Sequence, residues 1–145
     1  MASVISATTG AVYGAVPTSS QHEEFIGSAR VLLEDAQEQF QAGDADLALE
    51  SAYRSALRTA GASISQSAAV AKRKRLPSSA WEKLSLTGAR GAHWADTFSG
   101  FSRLRGRVAS GIELRPSKRE VERLIDFAEQ FFLEVSGGQD TLSAA

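Results

Sequence analysis

The sequence predicts an all-α domain, an antiparallel helical bundle that spans about residues 20–137. Three observations indicate this fold. Apolar residues recur at spacings of three and four in four separate segments. Ser-x-x-Glu capping boxes, which favour helix starts, begin at Ser20, Ser79 and Ser117. No segment shows the alternation of polar and apolar residues that is typical of a strand.

The first two predicted helices lie on either side of a very short turn. Helix one opens at Ser20 and ends at Gly43, a residue that tolerates the left-handed conformation of a helix C-terminus. Helix two begins after the N-cap Asp44 and is rich in alanine, so that a neighbouring helix can approach it closely. We expect it to run to about Lys74, before Pro77 stops it. The short turn predicts that the two helices are antiparallel neighbours.

Three further helices are predicted in the second half of the chain. A short helix covers residues 79–86, and two glycines separate it from helix three, which resumes near Ala92 and ends at Gly111. Helix four covers residues 117–137 and carries the cleanest apolar stripe. The stripes together place a set of large and small apolar residues in the core. These are Leu33, Leu49, Tyr53, Leu57, Trp94, Phe98, Leu124, Ala128 and Phe131.

The composition excludes several classes of protein. The chain has no cysteine and two histidines, so disulfides and thiolate chemistry are excluded and no metal or other cofactor is expected. Without a long apolar run, no membrane span or membrane partner is expected. Residues 1–19 have the composition of a disordered tail and lack the basic start of a secretory signal. We therefore expect a cytoplasmic protein with its bundle in residues 20–138 and a flexible tail in residues 139–145.

Charge is strongly segregated along the chain. Residues 1–50 carry one basic and eight acidic residues, residues 51–119 carry fourteen basic and three acidic, and residues 120–145 carry one basic and six acidic. One explanation is that neighbouring helices of opposite charge attract each other across the bundle. The other is that the basic middle forms an anion-binding face.

The basic middle contains the candidate binding residues. Four consecutive cations end the predicted helix two, where the helix dipole favours positive charge, and two arginines four residues apart on helix three could extend the same surface. These side chains could contact phosphates, or they could be an ordinary solvated helix end. No aromatic residue lies within the run, so base stacking is not indicated. The candidate nucleic-acid-binding residues are Lys72, Arg73, Lys74, Arg75, Arg103 and Arg107.

Other motifs give weaker indications. His93 beside Trp94 could be a catalytic group, although a lone histidine at a helix start is more often structural. No phosphate loop, dinucleotide fingerprint or nucleophile elbow is present. Residues 40–60 resemble a tetratricopeptide repeat, which also pairs antiparallel helices through a Gly-Asp turn. Since no second copy follows at a 34-residue period, a tetratricopeptide-like interaction module remains an alternative only.

Residues 40–60, read together with the segments around them, also resemble a known protein family. The ordered fragments are L-L-E-D-A (32–36), A-G-D-A-D-L-A-L-E-S-A-Y-R-S-A-L-R-T-A-G-A (42–62), a basic run, P-S-S-A-W (77–81) and H-W-A-D-T-F-S-G-F (93–101). Together they resemble the actinobacterial SAV-type branch of the HEPN superfamily (higher eukaryotes and prokaryotes nucleotide-binding), over about residues 25–137. The resemblance implies a four- to five-helix up-and-down bundle and a homodimer packed through helices.

The resemblance also implies which catalytic residues a ribonuclease of this family would need. Many HEPN proteins are metal-independent ribonucleases in which an arginine is followed, after four to six residues, by a histidine. For His93 that arginine would stand at position 86, 87 or 88, where the chain has Leu86, Thr87 and Gly88, and Arg90 is too close. No catalytic residue therefore carries over to this chain.

The resemblance and the residues together leave two leading functions. The first is a non-catalytic HEPN-like module that binds RNA, a nucleotide or a protein partner through its basic face. The alternative is a divergent, toxin-like ribonuclease that uses His93 and Arg90.

Overall fold

A computed structural model describes residues 17–144 of the chain, with side chains described for residues 20–137. The described residues form six helices and no strand, which confirms the all-α prediction and an antiparallel bundle. Residues 1–16, most of the predicted disordered tail, lie outside the described residues. The helices are α1 (Pro17–Gln41), α2 (Ala45–Ser65), α3 (Ala68–Ala71), α4 (Ala80–Ser85), α5 (Ala89–Ala109) and α6 (Lys118–Ala144).

The turn between α1 and α2 lies where the sequence predicts it. Gly43 has a φ of +89°, which an L side chain would adopt only with strain. The amides of Gly43 and Asp44 donate to the carbonyl oxygens of Phe40 and Gln39, at 3.1 and 2.9 Å, so the helix end is a Schellman motif. Asp44 precedes α2 as predicted, but its side chain makes no capping hydrogen bond.

Small side chains bring α1 and α2 close together. The hydroxyl of Ser55 on α2 donates to the carbonyl oxygen of Ala29 on α1, at 2.8 Å, and both residues are fully buried. Further along, the ring of Phe25 lies directly over Gly61, where a Cβ would come within 2.6 Å of the ring. The alanine-rich stripe of α2 therefore packs closely against its neighbour, as expected.

The prediction that helix two runs to about Lys74 was wrong. Helix α2 ends at Ser65, and the backbone turns at Gln66 before the four-residue helix α3. The hydroxyl of Ser67 accepts a hydrogen bond from the amide of Val70, at 3.2 Å, and so starts a new helix. Serine side chains favour such local bonds over a continuing helix, and this stretch holds three of them between positions 63 and 67.

The other helix starts and ends differ from the predictions by a few residues. Helix α1 begins at Pro17, so Ser20 lies inside it and is not its cap. The hydroxyls of Ser79 and Ser117 do accept from the amides three residues later, each at 3.4 Å, as their capping boxes predict. Helix α5 begins at Ala89, three residues earlier than expected, and α6 continues past Gly137 to Ala144.

Aromatic rings fill the space between α4, α5 and α6. The ring of Trp94 stacks on those of Phe98 and Phe131, with centroids 5.7 and 5.2 Å apart, and Phe98 also stacks on Trp81. These bulky side chains lie between α5 and α6, whose backbones approach each other closely at few positions, whereas small residues let α1 and α2 approach closely along their length. Of the predicted core residues, all are buried except Leu57, which is partly buried. Within residues 17–144, no helix is long and apolar enough to cross a membrane.

Candidate functional site

One end of the bundle carries an open groove of about 620 Å³. The end of α2, the start of α3, the start of α5 and residues 131–135 of α6 surround it. Its lining combines hydroxyl and amide groups with an indole ring and an ion pair. The polar and aromatic lining residues are Ser63, Gln66, Ser67, Thr87, Arg90, Trp94, Phe131 and Glu134.

The groove contains a two-helix ion pair that the sequence did not predict. The guanidinium of Arg90 on α5 donates to both carboxylate oxygens of Glu134 on α6, from Nη2 to Oε1 at 2.7 Å and from Nε to Oε2 at 3.3 Å. The indole nitrogen of Trp94 donates to Oε2 at 3.1 Å. The hydrogen bonds from Arg90 are the main reason that the pKa of Glu134 lies below its ordinary value, against the opposing effect of partial burial.

Tight packing fixes where α5 starts. A Cβ at Gly91 would overlap with Oγ1 of Thr87 and with the carbonyl oxygen of Leu84. Thr87 donates to that same carbonyl, at 2.7 Å. Only glycine allows α4 and α5 to meet this closely, and the close contact sets the position from which Arg90 reaches α6.

His93 lies on the same helical turn as Arg90. Its side chain is exposed, and its ring meets the edge of the Trp94 ring with centroids 4.9 Å apart. Its charge contributes to lowering the pKa of Glu134, although less than Arg90 and Trp94 do. Arg90 lines the groove and His93 does not, although His93 contacts the ring of Trp94, which does. The guanidinium of Arg90 is bound to the carboxylate of Glu134.

The four consecutive cations, here called the basic segment (Lys72–Arg75), lie between α3 and α4 and not at the end of a long helix. All four side chains are exposed. Nε of Arg73 donates to the carbonyl oxygen of Arg75, at 3.4 Å. Within residues 20–137, no carboxylate forms an ion pair with any of the four. No carboxylate among the described side chains therefore neutralises their positive charge at short range.

Two of the arginines in the second half of α5 form ion pairs with glutamates, unlike the cations of the basic segment. Arg105 donates to both carboxylate oxygens of Glu50, each at 2.9 Å, and lies over the ring of Tyr53. Nε of Arg107 donates to Oε1 of Glu113, at 3.2 Å. Arg103 is exposed and makes no ion pair within the described side chains. Of the two α5 candidates, Arg103 alone is without a carboxylate partner there, and a patch joining it to the basic segment stays a prediction.

Sequence reasoning missed the acidic partners, Glu50 and Glu134. Glu50 pairs with an arginine 55 positions away, and Glu134 pairs with one 44 positions away. No short-range motif in the sequence signals a pair at such a separation. The only signal in the sequence was the charge segregation, whose first explanation was attraction between helices of opposite charge. Both pairs join the basic middle of the chain to an acidic end, so that explanation holds for Arg90 and Arg105.

Comparison with known families gives one match. A family model described as HEPN_SAV_6107-like HEPN matches residues 40–136, more than half of the chain. No curated protein and no solved structure matched. The match includes all of residues 40–60, so the tetratricopeptide-like alternative for that segment gives way to it. With the helical bundle that carries these residues, the match shows that the chain belongs to the HEPN superfamily, in its SAV-type branch.

Proposed function

We propose that this HEPN domain is a non-catalytic module that binds RNA through its basic segment. The observation that supports the proposal is the difference in charge pairing between the two sets of cations. Arg90, Arg105 and Arg107 are each paired with a glutamate, whereas the basic segment is exposed and has no carboxylate partner within residues 20–137. A polyanion can bind the segment without first displacing a protein carboxylate.

The chemistry of the segment predicts the kind of binding. Lysine and arginine side chains contact phosphates, which carry no sequence information. No aromatic residue lies within the segment to stack on bases. Binding is therefore independent of sequence and strongly dependent on salt, because each phosphate contact releases condensed counterions. The acidic helices α1 and α6 repel the same ligand, so we expect micromolar affinity or weaker.

Titration of a fluorescent single-stranded RNA at several salt concentrations tests the proposal. The log–log slope of affinity against salt should be near −0.7 per phosphate contact. Replacing Lys72, Arg73, Lys74 and Arg75 with alanine should reduce the slope by about 2–3, because it removes up to four contacts. Arg103→Ala should reduce it further if Arg103 extends the patch.

A matched control separates local contacts from net charge. Replacing Arg54, Arg58, Arg119 and Arg123 with alanine removes the same number of charges from other exposed positions. This control should keep most of the RNA affinity, and circular dichroism should show both variants folded. If the parent protein binds no RNA at about 50 mM salt, or if both variants lose affinity equally, the basic segment is not an RNA-binding site.

The ribonuclease alternative has one observation in its favour, namely that His93 lies one helical turn from Arg90 and contacts the ring of Trp94, which lines the same groove as Arg90 and Glu134. Two observations count against the ribonuclease alternative. Arg90 is bound to Glu134, and the arginine–histidine spacing of HEPN ribonucleases is absent from the sequence. Incubating the protein with RNA in metal-free buffer distinguishes the two functions. Cleavage that His93→Ala abolishes would support the alternative, whereas binding without cleavage supports the non-catalytic module. A protein partner for the basic segment is the remaining possibility, and bound RNA in a purified complex argues against it.

A further inference from the structure

The sequence contains the pattern Arg-x-Arg-x-x-Ser twice, ending once at Ser78 and once at Ser110. Arginines three and five residues before a serine are the feature by which one class of protein kinases, those with an acidic substrate cleft, selects the serine that it phosphorylates. The arginines of the two copies are Arg73, Arg75, Arg105 and Arg107. The sequence gives the two copies equal standing, whereas the structure separates them.

The second copy is held closed by the end of α5. Ser110 caps the C-terminus of this helix, and its hydroxyl donates to the carbonyl oxygen of Arg107, at 3.2 Å. Arg105 is paired with Glu50, and Arg107 is paired with Glu113. A kinase would have to open the helix end and break both ion pairs before its cleft could bind this copy as an extended chain.

The first copy lies in an open segment between α3 and α4. Residues 73–79 contain neither helix nor strand, and no amide of residues 74–79 donates to another backbone group within the described part of the chain. Arg73 and Arg75 are exposed, and no described carboxylate forms an ion pair with either of them. This copy can therefore enter a cleft as an extended chain without losing backbone hydrogen bonds or ion pairs.

The two adjacent serines of this segment differ in what their hydroxyls do. The hydroxyl of Ser79, which is half-buried, accepts from the amide of Glu82 at 3.4 Å and so caps α4. Ser78 is exposed, and its hydroxyl makes no hydrogen bond within residues 20–137. The accessible hydroxyl is thus the one at the correct spacing from the arginines, and a group attached to it leaves the cap of α4 in place.

From these observations we infer that Ser78 is a phosphorylation site, and that its phosphate neutralises the basic segment and releases RNA. The second part rests on the proposed function, and the first part does not. In the transfer, Oγ of Ser78 attacks the γ-phosphorus of ATP. The new O–P bond forms as the bond to the β-phosphate oxygen breaks, ADP leaves, and the hydroxyl proton passes to the catalytic base of the kinase.

A phosphate on Ser78 is within reach of the cations that it neutralises. The Cα atoms of Ser78 and Arg75 are three residues apart and so at most about 11 Å from each other, a gap that an arginine and a phosphoserine side chain can span together. The side chain of Arg73 already turns forward along the chain, where its Nε donates to the carbonyl oxygen of Arg75. Phosphoserine carries roughly −1.5 to −2 charges at pH 7 and pairs well with arginine. The four positive charges of the basic segment are therefore about half neutralised.

A kinase reaction on the full chain tests the site itself. The protein is incubated with Mg-ATP and a purified kinase that selects arginines three and five residues before serine. Intact mass should show one added phosphate group, and peptide fragmentation should place it on Ser78. Ser78→Ala should abolish the addition, whereas Ser110→Ala, the matched control with the same arginine spacing, should leave it unchanged.

Two results would overturn the phosphorylation site. One is no incorporation of phosphate into the parent protein, and the other is phosphorylation of Ser110 as fast as that of Ser78. We expect Ser110 to react at least about ten times more slowly, because the end of α5 must first open. The peptide carrying phosphorylated Ser78 should also be present in the protein isolated from the cells that produce it, and its absence there would overturn the inference.

The fluorescent RNA titration then measures what the phosphate does. The phosphorylated protein should bind at least about tenfold more weakly than the unmodified protein at about 50 mM salt, with a salt slope smaller by roughly 1.4, because about two phosphate contacts are lost. Ser78→Ala taken through the same kinase reaction should bind like the parent. Equal affinity of the phosphorylated and unmodified proteins would overturn the neutralisation. A parent protein that binds no RNA would overturn the proposed function and the neutralisation together, and the mass measurement alone would then decide whether Ser78 is phosphorylated.

Discussion

The indole nitrogen of Trp81 donates a hydrogen bond to the hydroxyl of Tyr53, at 2.7 Å, in the core of the bundle. The two rings meet edge to face, with centroids 5.8 Å apart, and both side chains are at least nine-tenths buried. This contact attaches the short helix α4 to α2. Because α4 has only six residues, too few to be stable alone, its position depends on such tertiary contacts.

Tyr53→Phe should destabilise the fold by about 1–3 kcal/mol, because it leaves the indole N–H of Trp81 buried without an acceptor. Urea unfolding measures the loss. The double variant Tyr53→Phe with Trp81→Phe removes both polar groups. If the loss comes from the unsatisfied N–H, the cost of Tyr53→Phe should be smaller in the Trp81→Phe background than in the parent.

Glu50 should make stability depend on pH in the acid range. The hydrogen bonds from Arg105 lower the pKa of Glu50 below its ordinary value of 4.5. The stabilisation is therefore fully present above the unfolded-state pKa and is lost as pH falls through the lower folded-state pKa. In Glu50→Gln, the free energy of unfolding should fall less steeply below pH 4.5 than in the parent. Glu129→Gln, on the exposed face of α6, is the matched control and should keep the parental slope.

Gly91→Ala and Gly100→Ala, both in α5, should change stability in opposite directions. A Cβ at Gly91 overlaps with Thr87 and Leu84, whereas a Cβ at Gly100 meets nothing within 4 Å. The first substitution should cost about 1–3 kcal/mol through overpacking, and the second should gain up to about 1 kcal/mol of helix propensity. Thermal unfolding compares them directly, and equal effects would contradict the close approach of α4 to α5.

Phe131→Ala should cost about 3–5 kcal/mol, since it removes a large, fully buried ring. The side chain of Phe131 is 1% exposed and contacts the rings of Trp94 and Phe98. Denaturant melts should be compared with Leu133→Ala, two positions along the same helix and exposed. A loss under about 1 kcal/mol for Phe131→Ala would mean that α6 packs elsewhere.

The sequence predicts the long helices well because their apolar stripes and caps are local signals. Gly43 ends α1 through its positive φ, and Ser79 and Ser117 act as caps, as their spacing indicates. The end of α2 was not predicted, because residues 66–74 contain no glycine or proline and the serine cap at Ser67 has no distinctive spacing. The ion pairs of Glu50 and Glu134 were not predicted either, because they depend on which distant helices become neighbours.

The close contact of α1 with α2 has a consequence for how the chain folds. These two helices are joined by a three-residue turn, so their contacts form between residues near in sequence, at little cost in loop-closure entropy. The apolar stripe of α6 packs mainly on α2, from which more than fifty residues separate it. Contacts at such separation form slowly. We therefore expect the α1–α2 hairpin to be an early folding nucleus and the docking of α6 to be the late step that makes unfolding cooperative.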